Sequence, residues 1–281
     1  MPLSTKTKLK IANALSKAFV RGRALGGLKS EGVFRRRGIH WWLDLNEGID
    51  FAIFLFGAFE PGTRRYYTRR IQKGYTVLDI GANIGAHSLP FAYLVGPAGR
   101  VYCFEATEYA VGRLRRNIDL NPLVRDRVKV VHALLTDGSD RFDGVHAIES
   151  RWPLDASIAS RVSAHGGEAE GLGAAKRASL DSLLASEGLE RVDFVKLDVD
   201  GYEWPILQGA RQTIETHRPT VLLELAPDCD PAHFADMLGF FLDRGYASFD
   251  LSQARPLPRD AASIRHRIPR NGSINVVALP N

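Results

Sequence analysis

Acidic residues stand where apolar runs stop: Asp79, Glu105, Asp198 with Asp200, and Glu224. Asp79 sits inside the run Val77-Leu78-Asp79-Ile80, which leads directly into Gly81-Ala82-Asn83-Ile84-Gly85. A strand that ends in a tight glycine turn and then a helix is how an open α/β sheet offers backbone N–H donors to a nucleotide-like cofactor. A pyrophosphate loop needs Gly-x-Gly-x-x-Gly, because its second glycine lets the chain close on the phosphates. Here Asn83 takes that place, and the nearby Asp79 carboxylate would repel a pyrophosphate and suit a cation. An adenosine cofactor with an ammonium and a sulfonium but no phosphate fits, which points to S-adenosylmethionine. Glu105 lies 24 residues beyond Gly81, where a carboxylate can accept the ribose hydroxyls of an adenosine. NAD enzymes use that device too, so the assignment rests on Asp79, Gly81, Asn83, Gly85 and Glu105 together.

A second group of reactive residues lies in Val195 to Asp200. Lys196, Asp198 and Asp200 alternate with Val195, Leu197 and Val199, so all three project to one side of a strand. A lysine inside a central strand is costly unless paired, since desolvating a lone ammonium is expensive. Either an ion pair with a neighbouring carboxylate or a functional role accounts for it. Were the methyl acceptor a hydroxyl, transfer would need nucleophile, methyl and sulfur held in line, and a base to take the hydroxyl proton. Asp198 and Glu224 are the candidate bases. His132 is a third, against the commoner structural use of a lone strand histidine. Three carboxylates at neighbouring strand ends are of the type Mg²⁺ takes, but no ligand spacing specifies a metal centre, and none is expected.

These residues need a scaffold that brings strand ends together. The apolar and turn pattern predicts strands at 75–81, 100–105, 128–135, 193–199, 219–225, 246–251 and 273–279. Helices are predicted at about 86–95, 109–120, 180–187, 204–217 and 231–243, several of them stopped by Gly-Pro or Asn-Pro. Strands alternating with helices imply a mostly parallel sheet with right-handed crossovers. The last two strands, with no helix predicted between them, are expected to pair antiparallel at an edge. Upstream, Trp41–Leu45 and Phe51–Leu55 read as a hairpin around Asn46-Glu47-Gly48, followed by a helix over 64–71. Between 151 and 177 ten of 27 residues are Gly or Ala, which reads as an irregular loop and a candidate lid over the acceptor. The chain therefore divides into a basic extension (1–38), a hairpin and helix (39–74) and a cofactor domain (75–281).

Composition bounds the rest. The 281 residues, 45% hydrophobic and 25% charged, suffice for one sizeable core. No apolar run approaches the ~20 residues of a spanning helix, and the basic start lacks the apolar core of a secretory signal. Two cysteines far apart, Cys103 and Cys229, suggest neither disulfide nor zinc and a reducing cytoplasmic setting. Charge is uneven: residues 1–38 hold ten Lys or Arg against Glu31 alone, and the remainder holds 27 bases against 31 acids. Ile11, Leu15, Ala18 and Phe19 fall on one helical face of this basic segment. Such a stripe either packs on its own domain or lies on an anionic membrane surface.

Taken together, Val77 to Gly85, Phe104-Glu105-Ala106, Asn117, Ser179-Leu180-Asp181, Val192 to Glu203, Leu207 to Ala210 and Leu222-Leu223-Glu224, with Glu60-Pro61 upstream, resemble FkbM-type S-adenosylmethionine-dependent methyltransferases. The resemblance spans roughly residues 40–226. It departs at Asp200, where the family usually carries glutamate. It implies the class I (Rossmann-like) seven-stranded methyltransferase fold with an antiparallel last strand, and O-methylation of a hydroxyl on a sugar, glycan or secondary metabolite. By position, Asp79, Gly81, Asn83 and Gly85 would hold the methionine end of the cofactor, Glu105 the ribose and Ala133 the adenine edge. Asp198 would lie near the methyl group. Two alternatives stand beside it: an RNA ribose 2′-O-methyltransferase, and a non-catalytic, membrane-recruited protein on the same scaffold. The first lacks its lysine in the helix after strand 193–199, which offers only Arg211, so nucleic acid is not the favoured partner. The acceptor is expected to meet 151–177 and the Trp41-Trp42 region.

Overall fold

The computed structural model describes residues 5–139, 141, 145–154, 168–225, 231–251, 255–258, 260–268 and 273–281. The strands are β1 (Glu31–Arg36), β2 (Ile39–Asp44), β3 (Thr76–Ile80), β4 (Arg100–Glu105), β5 (Val128–Leu135), β6 (Ala147–Arg151), β7 (Glu168–Gly171), β8 (Lys176–Ala178), β9 (Phe194–Leu197), β10 (Thr220–Leu225), β11 (Tyr246–Asp250), β12 (Arg255–Pro256) and β13 (Ile274–Pro280). The helices are α1 (Thr5–Leu25), α2 (Gly48–Phe56), α3 (Pro61–Thr68), α4 (Ser88–Leu94), α5 (Glu108–Asp119), α6 (Pro122–Arg125), α7 (Leu180–Glu187), α8 (Glu203–Gln208), α9 (Arg211–His217), α10 (Pro231–Asp243) and α11 (Ala261–Arg267).

Nine strands form the main sheet in the order β12-β11-β13-β10-β9-β3-β4-β5-β8. The pairs from β10 through β9, β3, β4 and β5 to β8 are parallel, whereas β13 runs antiparallel to both β10 and β11. Seven of these strands are the predicted ones, and β8 and β12 add short edges. Successive residues serve opposite faces. Leu78, Ile80 and Leu197 enter a core roofed by α7 to α11, while Val77, Phe194 and Leu222 enter a second core under α4, α5 and the N-terminal elements. Asp79, Lys196 and Glu224 share the parity of this second set, so these three titratable groups lie on one face of the sheet.

Four expectations are corrected. Phe51–Leu55 is part of helix α2, and the hairpin partner of β2 is β1. A continuous apolar run does not distinguish strand from buried helix, and the helix buries Asp50, Phe51 and Ile53. The last two predicted strands, β11 and β13, do pair antiparallel at one side of the sheet, with β13 between β10 and β11, where consecutive Val276, Val277 and Ala278 are all buried and need cover on both faces. Helix α11 and strand β12 intervene before β13. The predicted helix 204–217 breaks at Gly209, where a Cβ would stand 2.1 Å from the Thr136 carbonyl oxygen. Asp181 then caps α9 from outside, accepting from Gln212 N at 2.9 Å and Thr213 N at 2.8 Å. The 151–177 segment contains β7 and the start of β8, and its residues 155–167 lie outside the described residues, as does Cys229. Cys103 is a buried free thiol. Among the described residues no helix is long and apolar enough to cross a membrane.

A polar stripe running along α5 and into the turn after it fixes the N-terminal elements. Asn117 accepts from Trp42 N at 2.7 Å and donates to Ile84 O at 3.0 Å, while Asn121 accepts from His40 N at 3.0 Å and donates to His40 O at 2.6 Å. The amides, one turn apart, thus serve the free edge of β2 as a neighbouring strand would. One turn earlier, Arg113 pairs with buried Asp50, which also accepts from Asp44 N at 2.6 Å. Burial raises the Asp50 pKa to about 6 despite this guanidinium. Replacing Asn117 with Ala strands the Trp42 N–H and the Ile84 carbonyl. We expect a loss of about 2–4 kcal/mol of stability, read as a lowered midpoint in denaturant unfolding.

Candidate active site

Strand order reverses between β3 and β9, and ligands of open α/β sheets collect outside the carboxyl ends at such a point. A cavity of about 550 Å³ lies there, lined among others by Gly81, Asn83, Glu105, Ala133, Asp198 and Glu224. Its size is that of a small-molecule site. Six of the eight residues singled out for cofactor and chemistry therefore meet in one cavity.

The other two sit behind the wall. Asp79 is buried in β3 opposite Lys196, with Ser88 Oγ donating to Asp79 Oδ2 at 2.5 Å. Burial raises its pKa, against the pull of Lys196. Gly85, at φ 90°, lets α5 pack close, since a Cβ would lie 2.7 Å from Leu114 Cδ1. Gly81 has a stricter demand: at φ 77° a Cβ would fall 1.8 Å from the Asp198 carbonyl oxygen. The loop after β3 thus passes directly against the end of β9, and only glycine permits it.

Asn83 adopts φ 47°, a conformation asparagine tolerates better than most. Its N–H donates to Glu105 Oε2 at 2.9 Å and its Nδ2 to Ser150 O at 3.0 Å. Glu105 Oε1 accepts from Thr107 N and Thr107 Oγ1, both at 2.9 Å. Three donors fix this carboxylate and leave lone-pair capacity on Oε2, of the four sites a carboxylate offers. Burial raises its pKa while these donors oppose the shift. Phe104, Ala106, Ala133, Leu134 and Ile148 supply apolar walls beside it. A carboxylate for ribose hydroxyls next to an apolar slot for a base fits the adenosine half of S-adenosylmethionine.

At the other end Lys196 Nζ donates to Asp198 Oδ2 at 2.7 Å, and Lys196 is buried. The ion-pair expectation for Lys196 is met, and its ammonium also lines the cavity. Burial would raise Asp198, but the Lys196 ammonium and a hydrogen bond from Glu224 bring it below the ordinary carboxylate range. Glu224 moves the other way: burial and the Asp198 charge push it up to about 10, so it carries a proton at neutral pH. Ser273 Oγ donates to Glu224 Oε1. Asp200, at φ 49°, is raised by burial and the Asp198 charge to about 7. Oxygens of Asp198, Asp200 and Glu224 lie within 4.8 Å of one another, and Lys196 with the Glu224 proton offsets their charge. Glu203 serves the turn, accepting from Val199 N at 3.2 Å and Gly201 N at 3.3 Å.

The sequence reading assigned no site role to two residues of the cavity wall. Glu60, at φ 45°, precedes Pro61 of α3 and receives Asn275 Nδ2 at 3.2 Å on Oε1. His87 Nε2 lies 3.6 Å from Glu60 Oε2, and His87 Nδ1 lies 3.5 Å from the Tyr67 hydroxyl. Both line the cavity. Five non-glycine residues hold positive φ among those described, and Glu60, Asn83 and Asp200 are three of them. Such strain concentrates at functional sites, and Glu60-Pro61 was its legible sign. His132 is structural: its Nε2 lies 3.1 Å from Ala106 O and it is absent from the cavity wall. Trp41 is core and Trp42 stacks under Arg113 and Arg116, while Trp152 and Leu154 do reach the cavity.

The chain is similar to known proteins. The chain is 28% identical over 151 residues to the 2-O-methyltransferase NoeI of Sinorhizobium fredii, covering 50% of this chain and 60% of that protein. It is 36% identical over 69 residues to a protein-L-isoaspartate O-methyltransferase of Methanothrix thermoacetophila, covering 25% of this chain and 30% of that protein. The chain thus spans less than two thirds of either relative. A solved S-adenosylmethionine-dependent O-methyltransferase of Thermotoga maritima aligns at 12% identity and a TM-score of 0.43, covering 92% of this chain and 81% of that one. The family model of the methyltransferase FkbM domain matches residues 79–248. The chain belongs to the FkbM methyltransferase family.

Proposed function

We propose that the protein methylates a hydroxyl of a sugar, glycan or similar polyol with S-adenosylmethionine as donor. The observation that carries this reading is the pairing, in one cavity, of a fixed ribose-type carboxylate (Glu105) with an ionised one (Asp198) held by a buried lysine. S-adenosylmethionine, when bound, supplies an electrophilic methyl group on a sulfonium. Glu105 and the Gly81–Asn83 loop would hold its adenosine and methionine portions. The chain's own residues then have three tasks. Asp198, kept ionised by Lys196, takes the proton of the acceptor hydroxyl as the new C–O bond forms. Glu224, protonated, donates to Asp198 and keeps that charge localised until the proton arrives. Glu60, Asp200 and Glu149 line the same cavity and accept hydrogen bonds from further hydroxyls, while Phe59, Trp152 and Tyr202 supply flat apolar surface.

Carboxylates with aromatic faces suit a neutral polyol. They do not suit RNA: Glu60, Glu105, Glu149, Asp198, Asp200 and Glu224 would repel phosphates, with Lys196 and His87 the basic residues among the lining. The similarity to a 2-O-methyltransferase supports the hydroxyl as acceptor group.

Transfer of tritiated methyl from S-adenosylmethionine to methyl glycosides and to extracted glycans tests the reading; no transfer to any hydroxyl compound would sink it. Asp198→Asn should keep cofactor affinity in calorimetry and lower turnover by roughly 10²–10⁴; unchanged turnover would remove Asp198 from the chemistry. Glu105→Gln should raise the dissociation constant for S-adenosylmethionine by about tenfold, the size of one lost charge-assisted bond of about 1.4 kcal/mol.

Glu224 adds a pH signature. Its folded pKa, about 10, lies above the ordinary 4.5 of the unfolded chain. The proton it binds on folding therefore stabilises fully below about 4.5, and that stabilisation drains as pH rises towards about 10. Wild type should lose stability relative to Glu224→Gln across this window; parallel pH profiles in unfolding experiments would show that Glu224 is not protonated.

A further inference from the structure

Helix α1 presents two adjacent faces to different surroundings. Ala12 and Val20 pack against the Leu45, Phe51 and Leu154 cluster, and Ser16 Oγ between them donates to Leu45 O at 2.6 Å. Phe19 borders this face, with its ring centroid 6.1 Å from that of Phe51 and 5.4 Å from that of Phe54. The neighbouring face is Ile11, Leu15, Ala18, Gly22 and Leu25, which at 3.6 residues per turn span an arc of about 80°. It does not pack on the domain: Ile11 is 45%, Leu15 39% and Leu25 92% exposed. Most of the apolar stripe read from the sequence is therefore the stripe left outside. Leu28 and Val33, just beyond the helix, are also exposed.

The charge around this stripe says what covers it. Residues 1–38 hold ten bases and one acid. By helical position Lys17 and Arg21 flank the stripe on the side away from the packed face. An apolar stripe with a basic flank, tied to a folded domain by its other face, is the form of a helix that lies in a lipid interface. A second copy is a poor cover, because it would bring a like charge of +9 against this one. We propose that α1 docks on an anionic bilayer, with Ile11, Leu15, Ala18 and Leu25 at the headgroup–acyl boundary and the basic flank on the lipid phosphates. Ala12 of the same helix lines the cavity, so docking would hold the cavity within about one helix diameter, roughly 10 Å, of the headgroups. On the methyl-transfer reading, the acceptor hydroxyl would then be one presented at the bilayer, as on a lipid-linked glycan.

The test is co-sedimentation of the full chain with vesicles of phosphatidylcholine alone or of equimolar phosphatidylcholine and phosphatidylglycerol. Binding should require phosphatidylglycerol, weaken with salt, and fall at least tenfold in the double variant Ile11→Glu/Leu15→Glu, while that variant keeps the wild-type affinity for S-adenosylmethionine and the wild-type unfolding midpoint. Absent binding, or equal binding by wild type and variant, overturns the proposal. So does a dimer in light scattering that the double substitution splits, which would assign the stripe to a second copy. Vesicle binding by a protein that takes up no S-adenosylmethionine would support docking and count against the methyl-transfer reading alone.

Discussion

The ammonium of Lys196 is the charge that the arrangement around it must satisfy. It sits in a central parallel strand, opposite Asp79 in β3 and two residues before Asp198. A lone ammonium there would be prohibitive, and one partner would only balance it. Instead several carboxylates converge on the same sheet face, and they outnumber the cation. Their protonation states must then diverge, because like charges this close cannot all ionise. Asp198, in direct contact with the lysine, takes the ionised role. Glu224, facing Asp198 without a cation of its own, keeps its proton. One buried lysine thereby separates two carboxyl groups into an ionised acceptor and a protonated donor.

A second constraint sets where that pair points. Gly81 lets the loop after β3 pass directly against the Asp198 carbonyl, so the glycine loop and the residue bearing the ionised carboxylate share one backbone contact. Displacing either displaces both. Asn83 extends the link, since its N–H fixes Glu105 while its amide reaches Ser150 in β6. The Asn117 and Asn121 amides carry the framework outward to β2, and through the hairpin and α2 to the segment bearing Glu60. Glu60 is thus positioned by contacts far from the sheet centre, and its positive φ aims it back.

The residues that the sequence made legible are those whose chemistry conflicts with their local setting. Asp79 and Lys196 in apolar strands, and Asn83 where a phosphate loop needs glycine, each stand out because their ordinary place is elsewhere. Strands β4 and β5 and helices α7 and α10 were likewise readable, with clean apolar patterns ended by caps or breakers. The misread elements had patterns that two structures satisfy. Phe51–Leu55 is apolar on every side, which suits a covered strand and a packed helix alike, and only its packing against distant residues such as Phe19 and Phe34 decides. The cavity roles of Glu60, read from the sequence only as part of a motif, and of His87 escaped for a different reason. Neither conflicts with a loop or a helix start, and their role arises from a contact across 27 residues that no local pattern encodes. Ser179 to Asp181 was recognised as a motif, and its task of capping a helix 30 residues later needed coordinates.

The uneven charge of the chain acquires a physical sense from the two surfaces it separates. The cavity concentrates carboxylates, which favours a sulfonium and disfavours polyanions. A bilayer rich in anionic lipid would be repelled by such a mouth if the acids stood alone. The basic extension places +9 in front of a body of −4, and α1 carries part of it along the cavity's edge. An acid-lined pocket and a lipid surface can then face one another, because screening confines each field to about a Debye length, roughly 8 Å at physiological salt. That distance is comparable with the thickness of the helix between them. On the docking proposal the helix would act as an electrostatic spacer: its outer flank would answer the lipid phosphates, and its inner face would leave the cavity free to select an uncharged hydroxyl.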